Sequence, residues 1–227
     1  MTGRSIIVTG GFGALGRVVA AAFAAQGDKV ARVDFAPKPT DAQPATLDLG
    51  GVDLTDEAAA AAVVTRVTEA FGGVDVLVNV AGGFTWATLA DGGVENWRRM
   101  YAMNAITAVT MTKAALAALR SRAGARIINI GAGAAIQAAA GMGGYAASKA
   151  AVHRLTESLA AELAKDDVTV NAILPAIIDT PTNRADMPGS DFSKWVQPQA
   201  IAEVILFLAS PAARAISGAL VPVTRGG

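Results

Sequence analysis

Tyr145 and Lys149 stand four residues apart in Gly143-Gly144-Tyr145-Ala146-Ala147-Ser148-Lys149. On a helix, positions i and i+4 share one face. An ammonium beside a phenol stabilises the phenolate and draws its pKa down from about 10. A phenol tuned that way can trade protons with a substrate while a bound cofactor moves a hydride. The spacing alone is weak, because ordinary exposed helix surfaces also carry it. Upstream, Thr9-Gly10-Gly11-Phe12-Gly13-Ala14-Leu15-Gly16 holds a literal G-x-G-x-x-G between a β-rich run and a helical one. That context turns the pair into a specific expectation. Glycines let the backbone turn tightly against a pyrophosphate, and a helix start supplies N–H donors and positive dipole. A plain glycine-rich turn is the bland alternative.

Asp34 closes the second β-rich run, eighteen residues after Gly16. A carboxylate there accepts hydrogen bonds from adenosine ribose hydroxyls and repels a 2′-phosphate. NADH or NAD is therefore expected to be preferred, with NADPH still possible because Lys38 lies close by in sequence. Arg17 opens the first helix and could approach phosphate, although a solvated position is the safer reading.

The elements that must position these groups alternate. Ile6-Ile7-Val8, Val30 to Val33, a faint run near Leu47, Val74 to Val80, Arg126 to Ile130, Val168 to Leu174 and Ala219 to Val223 read as strands. Helices are expected over 17–26, 55–71, 94–119, 145–165 and 200–209, with Thr55 as the cap of the second. Residues 36–51 read as a Pro- and Gly-rich connection, and 175–198 as a polar loop that could act as a lid. This rhythm predicts an α/β fold: a doubly wound, mostly parallel sheet of Rossmann type in three αβα layers. Residues 1–227 read as one domain.

Composition removes other chemistries. The chain has no cysteine and one histidine, which excludes thiol catalysis, zinc–thiolate sites and multi-histidine metal sites. Nineteen basic residues balance nineteen acidic ones, and no basic tract points to nucleic acid. No apolar run reads as a membrane span, so a cytoplasmic protein acting on a small molecule is expected.

These residues resemble those of the short-chain dehydrogenases/reductases over nearly the whole chain. The family's Thr-Gly-x-x-x-Gly-x-Gly loop looks like Thr9, Gly10, Ala14 and Gly16, with Ala14 replacing a glycine. The resemblance implies that Asp53 and Leu54 meet the adenine, and that Asn79, Ala81 and Gly82 follow the fourth strand beside the cofactor. It places Pro175, Ile178 and Thr180 near the nicotinamide amide. It makes Tyr145 the proton donor, Lys149 its tuner and ribose ligand, and Asn104 the support of a water relay. A homodimer or homotetramer is implied, built from helices near 103–119 and 145–164.

One departure matters. The family's serine, thirteen residues before the tyrosine, is here Ala132. Loss of a donor to a developing oxyanion costs about a hundred- to a thousand-fold in rate. A finer resemblance, to the dihydropteridine reductase branch, accounts for it. The shared stretches are Gly13-Ala14-Leu15-Gly16, Val80-Ala81-Gly82-Gly83, Gly141-Met142 with Gly144-Tyr145, and Ala150 with Val152-His153. The run from Leu174-Pro175 through Asp179-Thr180-Pro181, Asn183-Arg184, Met187-Pro188 and Asp191-Phe192-Ser193 to Trp195 adds to them. That branch also lacks the serine, and a quinonoid dihydropterin is reduced at a conjugated ring with no alkoxide to hold. Asn104, by contrast, belongs to the general family rather than to this branch. Phe84, Trp86, Ala132, Met142 and Arg184 are the expected substrate contacts, with loop packing as the alternative for the two aromatics. His153, one turn past Lys149, reads as a helix-packing residue. A carbonyl or alcohol substrate, or a dinucleotide-binding sensor without turnover, are the competing functions.

Overall fold

A computed structural model describes residues 3–40 and 46–225. Seven parallel strands form one sheet in the order β3-β2-β1-β4-β5-β6-β7. They are β1 (Ser5–Thr9), β2 (Lys29–Val33), β3 (Thr46–Leu49), β4 (Val76–Asn79), β5 (Ala125–Ile130), β6 (Val168–Pro175) and β7 (Leu220–Val223). The expected doubly wound α/β sheet is present. Every residue of β1, β4, β5 and β6 is buried, as a sheet covered on both faces requires.

Alternation along each strand divides the core. Ile6 and Val8 of β1 pack with Leu15, Val19 and Phe23 of α1 (Ala14–Ala25) and with Ile201 and Ile205 of α7 (Pro198–Leu208). Ile7 faces the other way, toward Val63 and Val67 of α2 (Glu57–Phe71) and Met111, Ala115 and Leu119 of α4 (Thr107–Arg120). Strand β1 pairs with both β2 and β4, so the winding reverses there. The crevice outside the carboxyl ends of such neighbouring strands is where open α/β sheets bind ligands.

Several boundaries differ from expectation for physical reasons. Helix α2 is capped by Asp56, whose carboxylate accepts from Ala58 N, while Thr55 donates its hydroxyl to Asp53. A carboxylate next to the first turn outcompetes a hydroxyl one residue earlier. Helix α3 (Leu89–Tyr101) begins earlier than the apolar run and kinks at Gly93, where φ is +55°. It joins α4 through a π-turn, Ala102–Ile106. The whole run Leu89–Arg120 is long and apolar enough to span a membrane by length and composition, against expectation. Here its Met111, Ala115 and Leu119 lie in the core against the sheet. Helix α5 covers Gly143–Glu162.

The segment 175–198 is built rather than irregular. Thr180 caps the short helix α6 (Pro181–Asp186) by accepting from Asn183 N. Ile178 bridges Val196, and Trp195 and Val196 are buried. Residues 41–45, inside the expected Pro- and Gly-rich connection, lie outside the described residues.

Candidate active site

The nucleotide end is assembled where β1 meets α1. Gly10 adopts φ +61°, and a Cβ there would come within 2.9 Å of Ala81 backbone. A Cβ on Gly16 would lie 2.1 Å from Gly10 O, so only glycine allows the strand and helix to approach this closely. Thr9 Oγ1 accepts from both Val80 N and Ala81 N at 3.0 Å, tying the turn to the end of β4. Gly13 caps α1 without a side chain, Ala14 is exposed beside it, and no acid occupies the first turn. The first N–H groups and the dipole are thus left to an anion, so this cradle fits a pyrophosphate. Leu15 is buried and anchors the helix start.

Asp34 follows β2. Its Oδ2 accepts from Phe12 N at 2.9 Å and its Oδ1 from Ala36 N at 3.0 Å. The carboxylate therefore bridges the glycine turn and the next loop, with lone pairs left for ribose hydroxyls. Asp53 is exposed, and hydrogen bonds from the Thr55 hydroxyl and N–H hold its carboxyl below the usual range. Leu54 beside it is buried. Asn79 is turned inward: its Nδ2 donates to Thr112 Oγ1 and Asn129 Oδ1. Its side chain stitches β4 to β5 and α4, so any cofactor contact falls to backbone or to Ala81 and Gly82. Pro175 is buried at the end of β6, and Ile178 and Thr180 are half-buried beyond it.

The proton-handling groups converge at the ends of β4 and β5. The π-turn inserts one extra residue per turn and carries Asn104, which is 1% exposed. Asn104 Oδ1 accepts from Gly83 N at 2.9 Å. Its Nδ2 donates to Gly83 O and to Ser148 Oγ. A Cβ on Gly82 would sit 2.4 Å from Asn104 Oδ1 and 3.4 Å from Lys149 Nζ, so glycine is required between them. Ser148, not anticipated from the sequence, donates in turn to Tyr145 O at 2.7 Å.

The expected pairing of ammonium and phenol is corrected in one respect. Lys149 Nζ donates to Ile130 O at 2.8 Å, and burial lowers it to about 8. Burial also pushes the Tyr145 phenol up, to about 12, rather than down. The two residues share one helical face, but desolvation opposes the charged form of each. Tyr145 therefore holds its proton throughout the neutral range, the form in which a phenol can donate. The Phe84 ring meets it edge-on, with centroids 5.0 Å apart.

The residues expected to contact substrate are mostly apolar. Phe84 is 51% and Trp86 59% exposed. Trp86 Nε1 donates to Ala140 O, and its ring fills the space a Gly141 side chain would occupy. Trp86 thus packs against the Ala140–Gly141 loop while much of its ring stays exposed. Met142 is half-buried at the cap of α5. Ala132 is buried, and its N–H points to His153 Nε2 at 3.4 Å. Burial first, then Arg154 and Lys149, hold His153 below its ordinary pKa, so it is neutral and packs beneath β5. Arg184 departs from the expected substrate contact. Its guanidinium makes a bidentate pair with Asp179 at 2.6 and 2.7 Å and lies over Phe192. Arg184 and then Gln197 lower Asp179 to about 2, so the two side chains brace the segment 175–198 against itself.

A phosphate-ready turn at the switch point, with a buried lysine and a protonated phenol at the adjoining strand ends, is chemically suited to hydride transfer coupled to proton donation. The class so defined is the Rossmann-type oxidoreductases. The chain belongs to the short chain dehydrogenase family, whose model matches residues 4–190. It is 32% identical to the 3-oxoacyl-[acyl-carrier-protein] reductase FabG of Vibrio cholerae, over all of this chain and 98% of that protein. It is 31% identical to 2-(S)-hydroxypropyl-CoM dehydrogenase 3 of Xanthobacter autotrophicus, over 97% of this chain and 95% of that one. A short chain dehydrogenase of Burkholderia cenocepacia, solved in complex with NADP, superposes with a TM-score of 0.87 at 30% identity, covering 99% and 98% of the two chains. The ligand-free aldohexose dehydrogenase of Thermoplasma acidophilum gives 0.89 at 28% identity, covering 99% and 93%.

Proposed function

We propose that the protein is an NADH-dependent reductase of a flat conjugated ring, of the quinonoid dihydropterin kind. Ala132 carries this reading: a buried methyl group occupies the position where the family resemblance expects a hydroxyl. A ring reduced at a conjugated C=N system develops no alkoxide that would need that donor. Phe84 meets Tyr145 edge-on, and Phe84 and Trp86 both leave apolar ring surface exposed for such a ring to stack on.

The bound dinucleotide would supply the hydride, and every other part of the step belongs to the chain. Gly10, Gly13 and Gly16 shape the turn for the pyrophosphate, and Asp34 takes the ribose. Tyr145 gives its proton to the ring atom that gains electron density. The Lys149 ammonium stabilises the phenolate left behind, and Asn104 holds the loop Gly82–Gly83 against both. Hydride and proton together make a two-electron reduction, with the dinucleotide oxidised.

A second reading has a specific support. The relatives named above are a 3-oxoacyl reductase and a hydroxypropyl dehydrogenase, and Asn104 is a feature of the general family, so a carbonyl or alcohol substrate competes. Ala132→Ser separates the two. On the ring reading it leaves kcat/KM for quinonoid dihydropterin unchanged or lowered, and gains nothing on ketones. On the carbonyl reading the new donor raises ketone kcat/KM by about a hundredfold or more. Steady-state assay of wild type and variant on both substrates decides, and the ring reading falls if wild type ignores the dihydropterin.

Cofactor preference follows from Asp34. A 2′-phosphate would face its carboxylate with like charge, so NADH binds more tightly than NADPH. Fluorescence titration with each cofactor checks this, and equal affinities would remove Asp34 from that role. The apolar cleft lined by Trp97, Tyr101, Ala102 and Ile106 on α3 and the π-turn is the face on which we place self-assembly into a homo-oligomer.

A further inference from the structure

Arg32 lies on β2 directly behind the glycine-rich turn and is 0% exposed. The register of β2 and β3 sets it opposite Asp48. Its Nε and Nη2 donate to the two Asp48 oxygens at 2.7 and 2.6 Å. Its third nitrogen, Nη1, is buried without a partner among the described residues. An ion pair this deep is weak evidence for stability, because desolvation offsets much of the attraction. Its position is more informative. The guanidinium carbon lies 5.4 Å from the centre of the Phe12 ring. Gly11 rests on the same side chain: a Cβ there would sit 2.6 Å from Arg32 Cβ.

Phe12 is tied at its backbone as well. Its N–H donates to Asp34 Oδ2 at 2.9 Å, and its carbonyl accepts from Arg17 Nε at 2.7 Å. Gly11 N donates to Val33 O at 3.1 Å. A turn with glycine at 10, 11, 13 and 16 would otherwise lose much conformational freedom on meeting a ligand. Holding it in one shape beforehand lowers that cost.

We propose that Arg32 and Phe12 are positioning residues for the dinucleotide: the Asp48-locked guanidinium holds the Phe12 ring, and the ring fixes the glycine turn and the Asp34 carboxylate in the shape that accepts the adenosine ribose and pyrophosphate. The proposal rests on the dinucleotide reading but not on the identity of the substrate. Neither residue touches the reacting atoms, so their effect falls on cofactor affinity rather than on chemistry.

The test uses the full chain and fluorescence titration with NADH. Phe12→Ala and Phe12→Leu weaken NADH binding about tenfold, the scale of a partly desolvated cation–π contact. At saturating NADH their kcat stays within about twofold of wild type. Phe12→Trp, which keeps an aromatic face, restores the affinity. Without cofactor, amide exchange over residues 10–16 quickens in Phe12→Ala while the global Tm is unchanged. The double variant R32M/D48L removes the ion pair without stranding a charge, and if folded it weakens NADH as Phe12→Leu does. Wild-type affinity in Phe12→Leu overturns the proposal, as does a fall in kcat with no change in affinity. Wild-type affinity in folded R32M/D48L removes Arg32 from it. If wild type binds neither NADH nor NADPH, the cofactor reading itself has failed.

Discussion

Replacing Tyr145 with phenylalanine leaves the fold and NADH binding intact and lowers kcat by about a hundred- to ten-thousand-fold. The ring stays, so its edge contact with Phe84 survives, and only the hydroxyl is lost. Burial holds that hydroxyl protonated to about 12, so the whole neutral range finds the donor charged with its proton. Among the described residues, Lys149 Nζ donates to Ile130 O and the Asn104 amide is committed to Gly83 and Ser148, so neither stands in for the lost hydroxyl. Single-turnover and steady-state kinetics on a slow substrate check the result. A very reactive quinonoid substrate takes protons from water and would mask part of the loss. Near wild-type turnover on the slow substrate would remove Tyr145 from the mechanism.

Lys149→Met should lose turnover by about a hundredfold or more, since the phenolate left by proton donation would face no cation. The same change should stabilise the protein. The Lys149 ammonium is buried and its pKa falls from 10.5 to about 8. Below pH 8 both folded and unfolded states carry the charge, and the folded state bears its desolvation. Between pH 8 and 10.5 the unfolded state binds more protons, so wild-type stability rises with pH through that window. At pH 7 the variant is thus expected to be more stable by about 1–3 kcal/mol, the lost bond to Ile130 O offsetting part of the gain. The difference should shrink toward pH 10. Urea denaturation at pH 7 and at pH 9.5 measures both. A variant less stable than wild type at pH 7 would mean that the charge is stabilised here, against its depressed pKa. Wild-type reduction should also fall above about pH 8, as the ammonium is lost while Tyr145 keeps its proton.

Much of this protein was legible in one dimension because the physics is local. A glycine turn after a buried strand can be read from its spacing, since the backbone demands at Gly10 and Gly16 come from close neighbours in space that every βα unit of this kind supplies. Strands β1, β4, β5 and β6 announce themselves as apolar runs because both sheet faces are covered. Tyr145 and Lys149 were found by helical spacing, and Asp34 by its place at a strand end. The sheet order, the buried network and the electrostatics were not legible, because they depend on partners far apart in the chain. Nothing in the sequence says that Arg32 lies opposite Asp48, since only the β2–β3 register does. The inward turn of Asn79 needs Asn129 and Thr112 beside it. The π-turn that buries Asn104 looks like uninterrupted helix. The direction of the Tyr145 shift was decided by burial, which only the packed layers create. The sequence by itself determined the alternating elements, the turn chemistry and the reactive residue types. The tertiary structure alone decided which charges are desolvated and which side chains are already committed to one another, because those depend on distance and dielectric rather than on order along the chain.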